Sequence, residues 1–192
     1  GSPNVVLGYE KILAGSGSGS ASSTCISWRR TGGFVRIFRG RCDLPFNGLV
    51  YLPTVHGVDE FYGNLYLLNA EEEPENADYP KDPKFRATFG PRGVLDCVAT
   101  DTFDNTDQPR WGVVGKQKIK DTGPLTVERM KNIEEDLLNR SLDFMERAVK
   151  KNQEANGDEP FFLWHVSTRN HVWIHLNEKY KNKTGHGIIA DG

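Results

Sequence analysis

The sequence predicts an α/β fold with a mostly parallel sheet flanked by helices, on three observations. The first is a long amphipathic segment: Met130, Ile133, Leu137, Leu138, Phe144, Met145 and Ala148 recur at spacings of three and four. That is the period of one helix over residues 126–152 with a single face on a core. The second is the unbroken apolar run Phe161-Phe162-Leu163-Trp164-His165-Val166 that follows it, opened by Pro160. A run of that length after a helix is the pattern of an interior strand buried on both faces of a parallel sheet. The third is the polar and aromatic group just beyond, His171, Trp173 and His175. In open α/β sheets ligands bind where the strands end at their carboxyl side.

The remaining elements follow in order. Val5-Val6-Leu7 is a short strand candidate, and residues 15–23, all Gly, Ser or Ala, compose a flexible linker. Residues 34–38 suit a strand between Gly32-Gly33 and Gly40 as breakers. Residues 70–89 are polar and carry Pro74, Pro80 and Pro83, so they are expected to form an excursion outside the core. Within them Glu71-Glu72-Glu73 reads as a solvated face. Residues 101–110, rich in Asp, Thr and Asn, are expected to be a loop. Thr126 stands where the long helix needs a cap and Glu128 lies in its first turn, while Lys150 and Lys151 suit its negative end. Composition shifts near Leu52, so residues 1–51 are expected to form a divergent segment and residues 52–192 the α/β region.

Charge and cysteine content narrow the function classes. The 24 basic and 26 acidic residues nearly balance, but residues 1–50 carry six basic against two acidic. That leaves +4 in the first segment and −6 in the rest, a split that can mark a basic arm for an acidic partner. Arg29 to Arg41, interleaved with Trp28, Phe34 and Phe38, would be that arm, yet the acidic total argues against a nucleic-acid binder. No apolar run approaches the ~20 residues of a membrane helix, and no charged-then-apolar leader is visible. Cys25, Cys42 and Cys97 form no CxxC pair, which disfavours a zinc site and a disulfide framework.

Three stretches carry a family likeness: residues 52–64 (Leu-Pro-Thr-Val-His-Gly-Val-Asp-Glu-Phe-Tyr-Gly-Asn), residues 69–83 around Glu71-Glu72-Glu73-Pro74-Glu75-Asn76, and residues 160–185 through Thr168-Arg169-Asn170-His171. In combination they resemble the sulfatases, in particular bacterial arylsulfatases. The resemblance implies an alkaline-phosphatase-like sandwich and hydrolysis of a sulfate ester by a formylglycine nucleophile beside a calcium ion. His171 matches the family's substrate-binding histidine, with His175 and Arg169 as further sulfate contacts. Cys25 and Arg29 have the separation of the nucleophile motif, but Ser27 stands where that motif has Pro or Ala, so formylglycine is not expected. Gly8-Tyr9-Glu10 follows the first strand where the family has paired Asp, which leaves calcium in doubt and names no metal ligand. The expectation is therefore an incomplete or rearranged sulfatase copy, binding a sulfate ester or inorganic sulfate with little turnover, and able to self-associate through an incomplete sheet. A non-enzymatic module for an anion or acidic partner is the alternative.

Overall fold

A computed structural model describes residues 5–7, 23–27, 36–40, 49, 52–157, 159–169 and 171–192, the first three groups by backbone alone. The chain is mixed α/β. Three strands, β4 (Glu60–Gly63), β5 (Leu95–Gln108) and β6 (Gly112–Asp121), pair antiparallel. On the other side of β4, β1 (Val5–Leu7) runs parallel to it, and β7 (Phe162–Trp164) runs parallel to β1. The order is β6-β5-β4-β1-β7, while β2 (Ser23–Ser27) and β3 (Arg36–Gly40) form a separate antiparallel pair. Among the described residues five α-helices accompany them: α1 (Leu68–Glu72), α2 (Pro83–Phe89), α3 (Val127–Met130), α4 (Ile133–Glu154) and α5 (Ile188–Asp191).

Strand alternation divides the core into two layers. Phe61, Leu95 and Cys97 point to one face, where Leu49, Leu52, Val58 and Val114 cover them. Tyr62, one residue on from Phe61, points to the other and meets Leu68, Leu125, Met130, Ile133 and Leu137. A smaller cluster of Phe144 and Ala148, with Met145 and Leu163, joins the far half of α4 to β7. Leu49 and the turn at residues 52–58 are fixed by buried Gln117, whose amide donates to the carbonyls of Leu49 (2.9 Å) and Val114 (2.8 Å) and accepts from Thr54 Oγ1. Gly57 closes the turn into β4 at φ 93°, a left-handed conformation that costs a residue without Cβ little.

Four expectations are corrected. Residues 101–110 are not a loop: β5 continues to Gln108, and the hairpin turns only at residues 109–111. Polar side chains there suit an exposed two-stranded arm, whose register shifts after Ala99 and after Asp104. With this hairpin the longest ladders are antiparallel, so the sheet is mixed where a mostly parallel one was expected. Second, the strand in residues 161–166 is three residues long and, among the described residues, stands last in the sheet, not inside it. Its apolar run is divided between the layers: Phe161 meets Phe144 of α4 edge-on at 5.8 Å and Leu163 joins the same cluster, while Trp164 packs against the layer of Phe61 and Cys97.

Third, the long helix is two helices broken at residues 131–132, where Asn132 sits at φ −121°, ψ −3° and the Asn132 amide bonds Arg129 O. Thr126 does cap α3, accepting from the Arg129 amide at 3.2 Å. Leu138, assigned to the core stripe, is 51% exposed. Fourth, Glu71 is not solvated but 3% exposed, because the single turn that buries Leu68 brings residue 71 inward with it. The Gly/Ser stretch lies outside the described residues except for Ser23, which opens β2. The strand expected at residues 34–38 overlaps β3, which runs on through Gly40.

Candidate functional site

The chain leaves β7 at Trp164, and the next residues line an open cleft of about 320 Å³ together with the first two turns of α4. Its walls are Glu134, Leu138, His165, Ser167, Arg169 and Tyr180, closed at one side by Asp191 and Gly192. Glu134 builds the loop. One carboxylate oxygen accepts from the Thr168 amide (2.5 Å) and the Thr168 hydroxyl (2.6 Å), the other from the Ser167 hydroxyl (2.9 Å). Ser167 Oγ in turn accepts from the Arg169 amide at 3.0 Å. A carboxylate in the first turn of α4 is also favoured by the helix dipole, so one residue steadies the helix start and the loop.

Charge in the cleft is uneven in its availability. Asp191 accepts from the amides of Asn182 (2.7 Å) and Thr184 (2.8 Å) and from the Thr184 hydroxyl, and these bonds hold its carboxyl below the usual range. Both acids are thus occupied. The Arg169 guanidinium, by contrast, makes no hydrogen bond or ion pair among the described residues and lies 5.6 Å from the centre of the Tyr180 ring. Lys179 approaches the same ring at 4.9 Å but is neutralised by Glu135, whose carboxyl it holds below the usual range. His165 contacts Ser141 Oγ through Nδ1 at 2.8 Å.

The structure places the sequence-nominated residues apart. Arg169 lies in the cleft. His171 is half-buried, its Nδ1 accepting from the Trp173 amide at 3.1 Å, and it does not line the cleft wall. His175 meets Glu72 Oε2 at 2.7 Å, joining the C-terminal region to α1. Cys25 pairs with Phe38 in the β2–β3 ladder, and Arg29 lies outside the described residues, as does Cys42. Cys97 is fully buried between layers, and burial pushes its thiol up to about 12, so it offers no thiolate near neutral pH. His165, Glu134 and Tyr180 were not singled out from the sequence. His165 was absorbed into the apolar run, and no local pattern links Glu134 or Tyr180 to the loop they face.

Among the described residues no group of three or more His, Cys, Asp or Glu side chains is arranged to hold a metal ion. The positions after β1 where the resemblance would set the calcium ligands, Gly8-Tyr9-Glu10, lie outside the described residues. No helix among the described residues is long and apolar enough to cross a membrane. Comparison of the chain with protein-family models, with curated proteins and with solved structures finds no match.

Proposed function

We propose that this chain is a sulfatase-related protein, with an alkaline-phosphatase-like ancestry, that binds sulfate or a sulfate ester without turning it over. The observation that carries the reading is the guanidinium of Arg169, which stands in the cleft beyond β7 with no hydrogen bond or close ion pair among the described residues, although its charge also acts on the Glu135 carboxylate. A planar fork of N–H donors matches the oxygens of a tetrahedral oxyanion, and a charged hydrogen bond of this kind is among the stronger ones a surface cleft offers. His165 can add a donor from Nε2 when Nδ1 accepts from Ser141.

The absence of turnover is part of the proposal. Ser167, the hydroxyl nearest Arg169, is committed to Glu134, and the Cys97 thiol is neutral and remote from the cleft on the far layer of the sheet. Without an activated nucleophile among the described residues of the cleft, the electrostatic contacts bind but do not catalyse.

Titration with inorganic sulfate, followed by NMR of histidine rings and of the Arg169 side chain, tests the reading. An open site with one free cation should show a Kd near ~1 mM, equivalent to about 4 kcal/mol. Arg169→Ala should weaken it at least tenfold, and added chloride should compete. Shifts that persist unchanged in Arg169→Ala would move the ligand elsewhere. Hydrolysis of an aryl sulfate that is lost in Cys25→Ala would overturn the claim of binding alone.

A further inference from the structure

The cleft beyond β7 carries both signs of charge, and the two signs are held differently. Arg169 supplies the cation, with no hydrogen bond or close ion pair among the described residues. Glu134 and Asp191 line the same cleft. Their hydrogen-bond partners are all neutral: an amide and two hydroxyls for Glu134, two amides and a hydroxyl for Asp191. Neutral donors steady a carboxylate without cancelling its charge.

With His165 in its neutral form, the lining therefore holds one cation against two anions. Glu135 drops out of the count, because Lys179 neutralises it. The start of α4 offsets part of the Glu134 charge through the helix dipole. Asp191 has no such help: it is the last residue of α5, where the dipole is negative, and it makes no ion pair among the described residues. It also keeps room to accept. Oδ1 takes the Thr184 amide and hydroxyl, while Oδ2 takes only the Asn182 amide in good geometry. A carboxylate oxygen has two lone pairs, so Oδ2 can accept once more.

Inorganic sulfate uses only half of this site. It is negative throughout and donates no hydrogen bond, so Arg169 attracts it while Asp191 and Glu134 repel it. It also fills only part of a cleft of about 320 Å³. A ligand with an anionic and a cationic end meets both signs. Leu138, 51% exposed, and the Tyr180 ring offer an apolar wall to the carbon frame between its ends.

Building on the sulfate reading above, we infer that the ligand of this cleft is a zwitterion: a sulfate ester bearing a primary ammonium group, its sulfate on Arg169 and its ammonium on Asp191. An aminoalkyl sulfate is the simplest member of that class.

Two probes of equal length isolate the ammonium: 2-aminoethyl hydrogen sulfate, and n-propyl sulfate, which has a methyl group in its place. Each is titrated into the full chain and followed by NMR of the Arg169 side chain. The ammonium probe should bind about fivefold tighter, the scale of a partly solvated ion pair. Asp191→Asn should shrink the preference to about twofold or less and tighten n-propyl sulfate, a gain that a damaged turn would not give. Equal affinities, with Arg169 shifted by both probes, overturn the zwitterion and leave the sulfate reading standing. A preference undiminished in Asp191→Asn overturns the assignment of the ammonium to that residue. If neither probe moves Arg169 at tens of millimolar, both the zwitterion and the sulfate reading fall.

Discussion

Glu71 shows how much one buried group can decide. Neither of its carboxylate oxygens makes a hydrogen bond of good geometry, and at 3% exposure water does not replace one. Burial pushes its carboxyl up to about 8, against weaker pulls from the nearby Tyr66 amide and the Arg129 guanidinium. The native state therefore holds a proton that the unfolded chain releases near its ordinary 4.5. The stability this contributes is fully present below about pH 4.5 and is lost as pH rises to about 8, on the order of 5 kcal/mol across the window. Glu71→Gln keeps the shape and removes the titration. Urea unfolding at a series of pH values should show the native protein weakening between pH 5 and 8 and the variant nearly flat, with the variant the more stable above pH 8. Equal slopes would mean that Glu71 is solvated after all. None of this was legible in the sequence, where three consecutive glutamates look like a wet surface. One helical turn separates their fates: Glu71 is buried, Glu72 holds His175, and Glu73 faces solvent.

At the scale of elements, periodicity was a good guide to existence and a poor one to neighbours. The stripe of residues 130–148 does place Met130, Ile133, Leu137, Phe144 and Ala148 on the core. It could not show the break at Asn132, where the Asn177 side-chain amide donates to Asn132 Oδ1 at 2.8 Å from far along the sequence. Nor could a polar stretch announce itself as an exposed strand, because residues 101–107 are held by β6 and not by a core. The same holds for the loop after β7. Thr168-Arg169 was recognisable from the resemblance, but its anchor, Glu134, lies more than thirty positions earlier. Removing that anchor should be felt locally. Glu134→Ala deletes three hydrogen bonds to a carboxylate and should cost about 2 kcal/mol. Hydrogen exchange at residues 165–169 should rise while the middle of α4 stays protected. Protection unchanged in the loop would show that Tyr180 and the 182–191 turn hold it without Glu134.

For the whole molecule, the sheet joins segments of very different separation along the chain. β5 and β6 meet across a tight turn, and β4 lies some thirty residues before β5. Strand β1 sets Val6 beside both Glu60 and Leu163, from early and late in the sequence. Closing loops of that size is entropically slow compared with a hairpin or a helix. Refolding should therefore be hierarchical. In pulse-labelling hydrogen exchange, the amides of residues 95–98 and 117–121 should gain protection with α4, and those of residues 5–7 and 162–164 should follow in a later phase. Protection that appears everywhere at once would argue for a single concerted step. Until β1 arrives, β4 and β7 have no strand between them, and each has a side without a partner. The place of the three-residue β1 between β4 and β7 thus makes the early segment the last to be sealed in. During synthesis β1 is the first of these strands to leave the ribosome, and it waits longest for β7, the last of its neighbours to be made.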